Sequence, residues 1–342
     1  MRRFAVPLLV FAAGLSLAGL AAAADRLVIL NKSDDTASIL DAASEKTLAT
    51  IPVGHGPHEV AVLSDRHTAA VSDYGDREKP GRTITLLDVE KGQRLGTIEL
   101  PKGARPHGLH PLADGRLLVT AEGLKELLLV DPKARRVEAR IPTFQDVSHM
   151  VVATPDGRRA FVANIGSGTV TVVEGKKAIR QIPTGKGAEG IAITPDGREV
   201  WVVNREADTV SVIGTDSLEV AATIPAAAFP IRVKITPDGK RALVSCAKSG
   251  DVAVFDVAAR RELRRIPIDK EAVSGTEQRV FSTQFGKSPV PVGLLIAPDG
   301  KRAWVASTNA DVVSAIDLDA LAVVGRLTAG KEPDGLAGSF GR

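Results

Sequence analysis

The stretch Ile182–Asn204, IPTGKGAEGIAITPDGREVWVVN, is followed by a TVSVI run and then by another Ile-Pro, and the same sentence recurs along the chain. Its Pro mark falls at Pro52, Pro101, Pro142, Pro183, Pro225 and Pro267, with Thr328 in the same place. The intervals are 49, 41, 41, 42, 42 and 61 residues. A period near forty residues with four short Val, Ile and Thr-rich runs per unit, separated by Gly, Pro, Asp and Asn, predicts stacked four-stranded sheets. One such sheet cannot bury its apolar face alone, so the units must stack as an open solenoid or close as a ring.

The chain ends decide between the two. A partial unit precedes the first mark, with three strand-like runs between Leu27 and Ile51, and the tail KEPDGLAGSF matches only the opening strand of a unit. Pairing Asp334 to Phe340 with those three N-terminal runs completes a seventh sheet. The expected fold is therefore an all-β, seven-bladed propeller with four-stranded blades, closed by the C-terminal strand and needing no capping repeats.

Residues 1–24 carry Arg2 and Arg3, an apolar run from Phe4 to Leu20, and AAAA before Asp25. That order predicts a cleaved export signal and a periplasmic or secreted protein, with residues 25–342 forming the propeller and no membrane span after cleavage. The 318 remaining residues allow about 45 for each blade, a propeller-like length. They contain 42 basic and 41 acidic residues, a formal charge of +1, and aromatics make up only 4% of the chain. Neither an electrostatic track nor a stacking platform for nucleic acid is evident. A single cysteine, Cys246, allows no internal disulfide, so closure must rest on strand pairing and packing in what is expected to be a monomer.

The units ATPDGRRAFVAN, ITPDGREVWVVN, ITPDGKRALVSC and IAPDGKRAWVAS, each followed by a TVSV-like strand, resemble the YVTN family of exported β-propeller repeat proteins. The resemblance covers Leu27 to Phe340. The superfamily it implies includes lactonases, haem d1-binding propellers, copper-dependent thiol oxidases and proteins that only bind partners, so the repeat selects a fold and not an activity. The Asp of each PDG turn, at Asp156, Asp196, Asp238 and Asp299, reads as turn chemistry between strands. Phe161, Trp201 and Trp304 share one register and read as packing between blades.

Chemistry is expected where the units differ. The inner strands begin PHEVAV, PHGLHP, SHMVVA, AEGIAI, PIRVKI, PVGLLI and PDGLAG, so the second position holds His58, His107, His149, Glu189, Ile231, Val292 and Asp334. This position should rim the central channel. Closure sets Asp334 beside His58, giving an arc of Asp, His, His, His and Glu facing Ile and Val.

Three imidazoles with one or two carboxylates form a candidate site for Zn²⁺, Cu²⁺ or Fe²⁺, with His58, His107, His149, Glu189 and Asp334 as ligands. The plainer alternative is a set of channel histidines that hydrogen-bond water. His55 and His110 could fix a tautomer behind the column, whereas His67 belongs to the opposite face. The ends of the second strands, Asn31, Asp73, Ala121, Asn164, Asn204, Cys246 and Ser307, should ring the same mouth, either capping turns or adding polar groups, with Cys246 read as a small residue near its turn and its thiolate as the alternative ligand. Both long intervals add residues on this face, at Asp73 to Arg82 and at Ile268 to Pro289, the latter carrying Glu271, Glu277, Arg279, Phe281 and Phe285.

Three functions remain open. The first is an exported binding protein whose channel mouth holds a metal ion, a small molecule or a protein partner. The second is a metal-dependent enzyme with Glu189 or Asp334 as further ligand or general base, acting on a lactone or ester or as a copper or iron oxidase. The third is a periplasmic scaffold for DNA or a partner, which the near-neutral charge weakens. There is no phosphate-binding Gly-rich loop, no nucleophilic Ser motif and no CxxCH, so neither a nucleotide nor covalent haem is expected.

Overall fold

The computed structural model describes residues 25–268 and 284–341. Seven four-stranded antiparallel sheets are arranged as a propeller, and among the described residues helix is confined to two short 3₁₀ turns, Lys32–Asp34 and Glu122–Leu124. The inner strands of blades one to six are Pro57–Val62, Pro106–Pro111, Ser148–Ala153, Ala188–Ile193, Pro230–Ile235 and Pro291–Ile296. The seventh blade takes its inner strand, Pro333–Ser339, from the C-terminus and its outer three, Arg26–Asn31, Thr36–Asp41 and Thr47–Pro52, from the N-terminus. This is the closure that the split unit requires.

The middle strands are buried on both faces, which explains their nearly continuous apolar runs. Because side chains alternate along a strand, each blade feeds two interfaces. In Arg26–Asn31, Val28 and Leu30 pack toward blade one while Leu27 and Ile29 pack toward blade six. A cluster of this kind fills each of the seven interfaces between adjacent blades. Phe161, Trp201 and Trp304 are buried in these layers, as their shared register predicts.

Hydrogen-bonding side chains pin the blades near the mouth. Asn164 Nδ2 donates to the hydroxyls of Thr169 and Thr171 on the next strand, at 3.1 and 3.0 Å. Asn204 does the same to Thr209 and Ser211, and Asn31 to Thr36 and Ser38. Asn31, Asn164 and Asn204 are therefore internal staples, whereas the Ser307 hydroxyl is buried without a hydrogen-bond partner. Burial pushes the Cys246 thiol up, so it stays protonated as a small core residue.

Every inner strand opens in one way. The residue before it is left-handed in all seven blades: Gly56, Arg105, Val147, Gly187, Phe229, Val290 and Glu332 all have φ between 49° and 75°. A register shift then follows within the first residues, so that, for example, Pro57 pairs with Asp73 but Val60 with Val71. Such a bulge re-aims side chains. Here it turns the second residue of each strand into the channel mouth.

Candidate functional site

A cavity of about 800 Å³ occupies one mouth of the channel, lined among others by His58, His107, His149, Glu189 and Asp334. The sequence-derived column therefore converges, with Ile231 and Val292 on the far wall. The rings of His107 and His149 lie 3.6 Å apart between centroids, and His58 is 5.2 Å from His107. All three are buried.

Each imidazole has its own environment. His58 Nδ1 is 3.0 Å from the carbonyl of Gly56, which fixes the Nδ1–H tautomer and leaves Nε2 with a free lone pair. Burial, then Lys32, depresses the pKa of His58; burial, then His149, depresses that of His107. Both are neutral at physiological pH. For His149, burial opposes the charge but is outweighed by Glu122, hydrogen-bonded to Nδ1, and by Glu189, whose Oε1 is 3.4 Å from Nε2. His149 is thus the ring that carries a proton most readily. His107 Nδ1 is buried without a hydrogen-bond partner, and His149 Nε2 has only Glu189 Oε1, at 3.4 Å.

Glu122 completes the group. Its Oε2 accepts a 2.7 Å hydrogen bond from Tyr74 Oη, and it forms with His107 and His149 a set whose donor atoms lie within 4.8 Å of one another. Glu122 follows Ala121, so it sits one residue beyond the strand-end column. The same position supplies Lys32, Tyr74 and Arg205 to the cavity. Comparing the residue after each strand end, rather than the strand end itself, would have revealed this second ring.

The two expected carboxylates are occupied differently. Glu189 Oε2 accepts from Arg205 Nη1 at 2.9 Å and Oε1 from Arg232 Nη1 at 3.0 Å. Burial works against its charge, but His149 and the two guanidinium groups hold its carboxyl well below the usual range. Asp334 stands on the other side with Lys32 Nζ at 3.8 Å; burial pushes it up to about 6 against the pull of Lys32 and Arg232. Asp334 Oδ1 has no hydrogen-bond partner.

Arg232, at the third position of its strand, reaches from blade five to Glu59 of blade one, with Nη2 2.6 Å from Glu59 Oε1. These blades are not neighbours, so the ion pair crosses the channel one residue beyond the imidazoles. At the same register Gly108 and Gly293 leave no room for a side chain: a Cβ would lie 2.5 Å from the His149 carbonyl oxygen and 1.9 Å from that of Asp334. The mouth is a cup with an ionic floor.

The other histidines lie elsewhere. His55 bridges Asp35 and Asp76 at 3.0 and 2.8 Å near the surface, and does not back the three-histidine column. His110 lines a separate cavity among the PDG turns at the opposite end, where burial lowers its pKa to about 4. His67 pairs with Glu90. The first insertion extends a hairpin, Thr68–Gly75 with Pro80–Asp88, and brings Tyr74, Asp76, Arg77 and Glu78 to the cavity. Of the second, Glu271, Glu277, Arg279 and Phe281 lie outside the described residues, while Phe285 packs 4.8 Å from Phe229 in a cluster with Ile231 and Val292.

Comparison with known proteins agrees with this architecture. The model of the YNCE-like beta-propeller family matches residues 114–278. The human E3 ubiquitin-protein ligase TRIM56 is 31% identical over 136 residues, 40% of this chain but only 16% of that protein. Among solved structures, Kuenenia stuttgartiensis hydrazine synthase superposes with a TM-score of 0.68 at 20% identity, covering 82% of this chain and 88% of that one. A functionally unknown protein from Desulfotomaculum acetoxidans gives 0.73 at 13% identity, covering 91% and 98%. Dihydro-heme d1 dehydrogenase NirN in complex with DHE gives 0.62 at 19% identity, covering 89% of this chain and 63% of that one. The matches bear out the likeness to the YVTN-type propeller superfamily; at these identities the solved structures speak to fold alone. Among the described residues no helix is long and apolar enough to cross a membrane.

Proposed function

We propose that this chain is an exported propeller that binds a divalent transition metal ion at the channel mouth and a small ligand in the cup above it. The observation that carries the reading is the cluster of His107, His149 and Glu122, three buried side chains whose ligand atoms lie within 4.8 Å of one another, with His107 Nδ1 buried and without a hydrogen-bond partner. Buried polar atoms left without partners are uncommon, and two imidazoles with a carboxylate suit Zn²⁺, Cu²⁺ or Fe²⁺. Two donors bonded at about 2.1 Å to one tetrahedral ion lie about 3.4 Å apart. A pair of donors 4.8 Å apart closes on such an ion when each moves by about 0.7 Å.

In this reading His107, His149 and Glu122 hold the ion and His58, with Nε2 free, is the next donor. Tyr74 orients Glu122, a partner of the kind that ligand carboxylates commonly have. Glu189 and Asp334, both expected from the sequence to be ligands or bases, instead orient His149 and balance the charges of Arg205, Arg232 and Lys32. Taking up the ion displaces the proton of His149, so affinity rises with pH.

Metal analysis after dialysis against Zn²⁺, Cu²⁺ and Fe²⁺ tests the site. One ion per chain is expected, with affinity weakened about tenfold or more in Glu122→Gln and further in His107→Ala. Equal metal content in wild type and both variants would refute it. Turnover of lactones, esters or thiols by the loaded protein would make the same centre an enzyme's. Export rests on Arg2, Arg3 and the apolar run to Leu20; a secreted product beginning at Asp25 is the expected result, and a chain retained intact in the cytoplasm would contradict it.

A further inference from the structure

Arg105 differs from the two guanidinium groups that bind Glu189. Arg205 and Arg232 both bind Glu189, and Arg232 also binds Glu59. Arg105 lines the same cavity, yet among the described residues no carboxylate lies within ion-pair distance of it, and its Nε is buried without a hydrogen-bond partner. Its guanidinium is held 4.2 Å from the centre of the Tyr74 ring, whose hydroxyl binds Glu122. A cation stacked on an aromatic ring keeps its edge donors free for an anion. The opposite wall is apolar: Ile231 and Val292 are backed by Phe229, Phe285 and Val290.

We infer that the cup takes an organic carboxylate with an apolar body, its carboxylate held by Arg105 beside the metal ion and its body lying toward Ile231 and Val292. The inference rests on the metal site proposed above. A cavity of about 800 Å³ has room for such a molecule. The planar fork of Arg105 suits a carboxylate better than a point charge does. A neutral amide of the same shape cannot reproduce that interaction.

The test uses the mature chain loaded with Co²⁺, whose visible spectrum reports both the ion and any change at it. Benzoate, acetate and benzamide are titrated into wild type, Arg105→Asn and Arg105→Lys. Asn tolerates the left-handed backbone at this position, where φ is 49°. Benzoate should bind more tightly than acetate. A charge-assisted hydrogen bond contributes about 1.5–3 kcal/mol, so benzamide binding to wild type and benzoate binding to Arg105→Asn should each weaken about tenfold or more. Arg105→Lys should fall between, and Co²⁺ affinity is measured first for each variant so that every titration starts from fully loaded protein. Equal benzoate affinity in Arg105→Asn and wild type, or equal affinity for benzamide and benzoate, overturns the carboxylate inference alone. Failure of wild type to take up Co²⁺ overturns the metal site and this inference with it.

Discussion

Replacing Asp73 by Asn should stabilise the propeller, and only above a defined pH. Asp73 is 1% exposed and lies in the second strand of blade one, Thr68–Gly75, at the register where blades three, four and seven carry Asn164, Asn204 and Asn31. Its Oδ1 accepts from the Gly54 amide at 2.9 Å, and Oδ2 accepts from the hydroxyls of Thr83 and Thr85 at 2.6 and 2.8 Å. Despite these three bonds burial prevails and raises its pKa from 3.8 to about 6. Between those values, rising pH ionises the unfolded chain while the folded one keeps its proton, so stability falls with pH and levels off above 6. The loss is about 3 kcal/mol, from 1.36 kcal/mol per pKa unit. In Asp73→Asn the Gly54 bond is kept by Oδ1, as Gly330 is bound by Asn31, and Nδ2 donates to the two hydroxyls as in blade three. Unfolding curves of both proteins from pH 4 to pH 8 isolate the effect. The two should nearly coincide at pH 4, with the variant more stable by about 3 kcal/mol at pH 8, or roughly 5 °C in melting temperature. A gap that does not change with pH, or a variant less stable at pH 8, would refute the argument.

Arg232→Ala leaves Glu59 and Glu189 without their shared cation across the channel and should cost about 3–5 kcal/mol at neutral pH in denaturant unfolding; a loss below about 1 kcal/mol would show that the crossing does not brace the ring. Removing residues 331–342 takes away the inner strand of blade seven, with Leu336 and Ala337 from two interfaces. Its melting point should drop by roughly 10 °C or more, and an unchanged melt would contradict closure by that strand. Trp201, fully buried between blades four and five, should cost about 3–5 kcal/mol as Ala; calorimetry measures it, and a neutral result would mean that the interface collapses around the gap.

Fold was legible because the period and the PDG turns are local, and because the chain ends complement each other. The three histidines were legible for a related reason: identical registers in successive blades become neighbours when the ring closes. Glu122 was hidden by a shift of one residue. Ala121 ends its strand facing the blade interior, and the chain then turns into Glu122–Leu124, which sets the next side chain against His149 and Tyr74. Arg232 was missed because strict alternation assigns only one of two consecutive residues to a face. The bulge at the start of each inner strand breaks that alternation, so positions two and three both reach the channel. His55 and His110 illustrate the reverse: nearness in sequence to the column does not bring them behind it.

The shared left-handed residue and bulge also bear on how such a protein can change. Because the backbone is the same at all seven second positions, the side chain there is a facet that can be exchanged without renegotiating the fold around it. Three facets now hold imidazole, two carboxylate and two hydrocarbon. A histidine moved from blade three to blade four would travel around the rim by one step and meet Arg205 beyond the strand end in place of Ile165. The mouth thus behaves as a dial with seven stops, and new specificity is reachable by single substitutions that leave the packed layers between blades untouched.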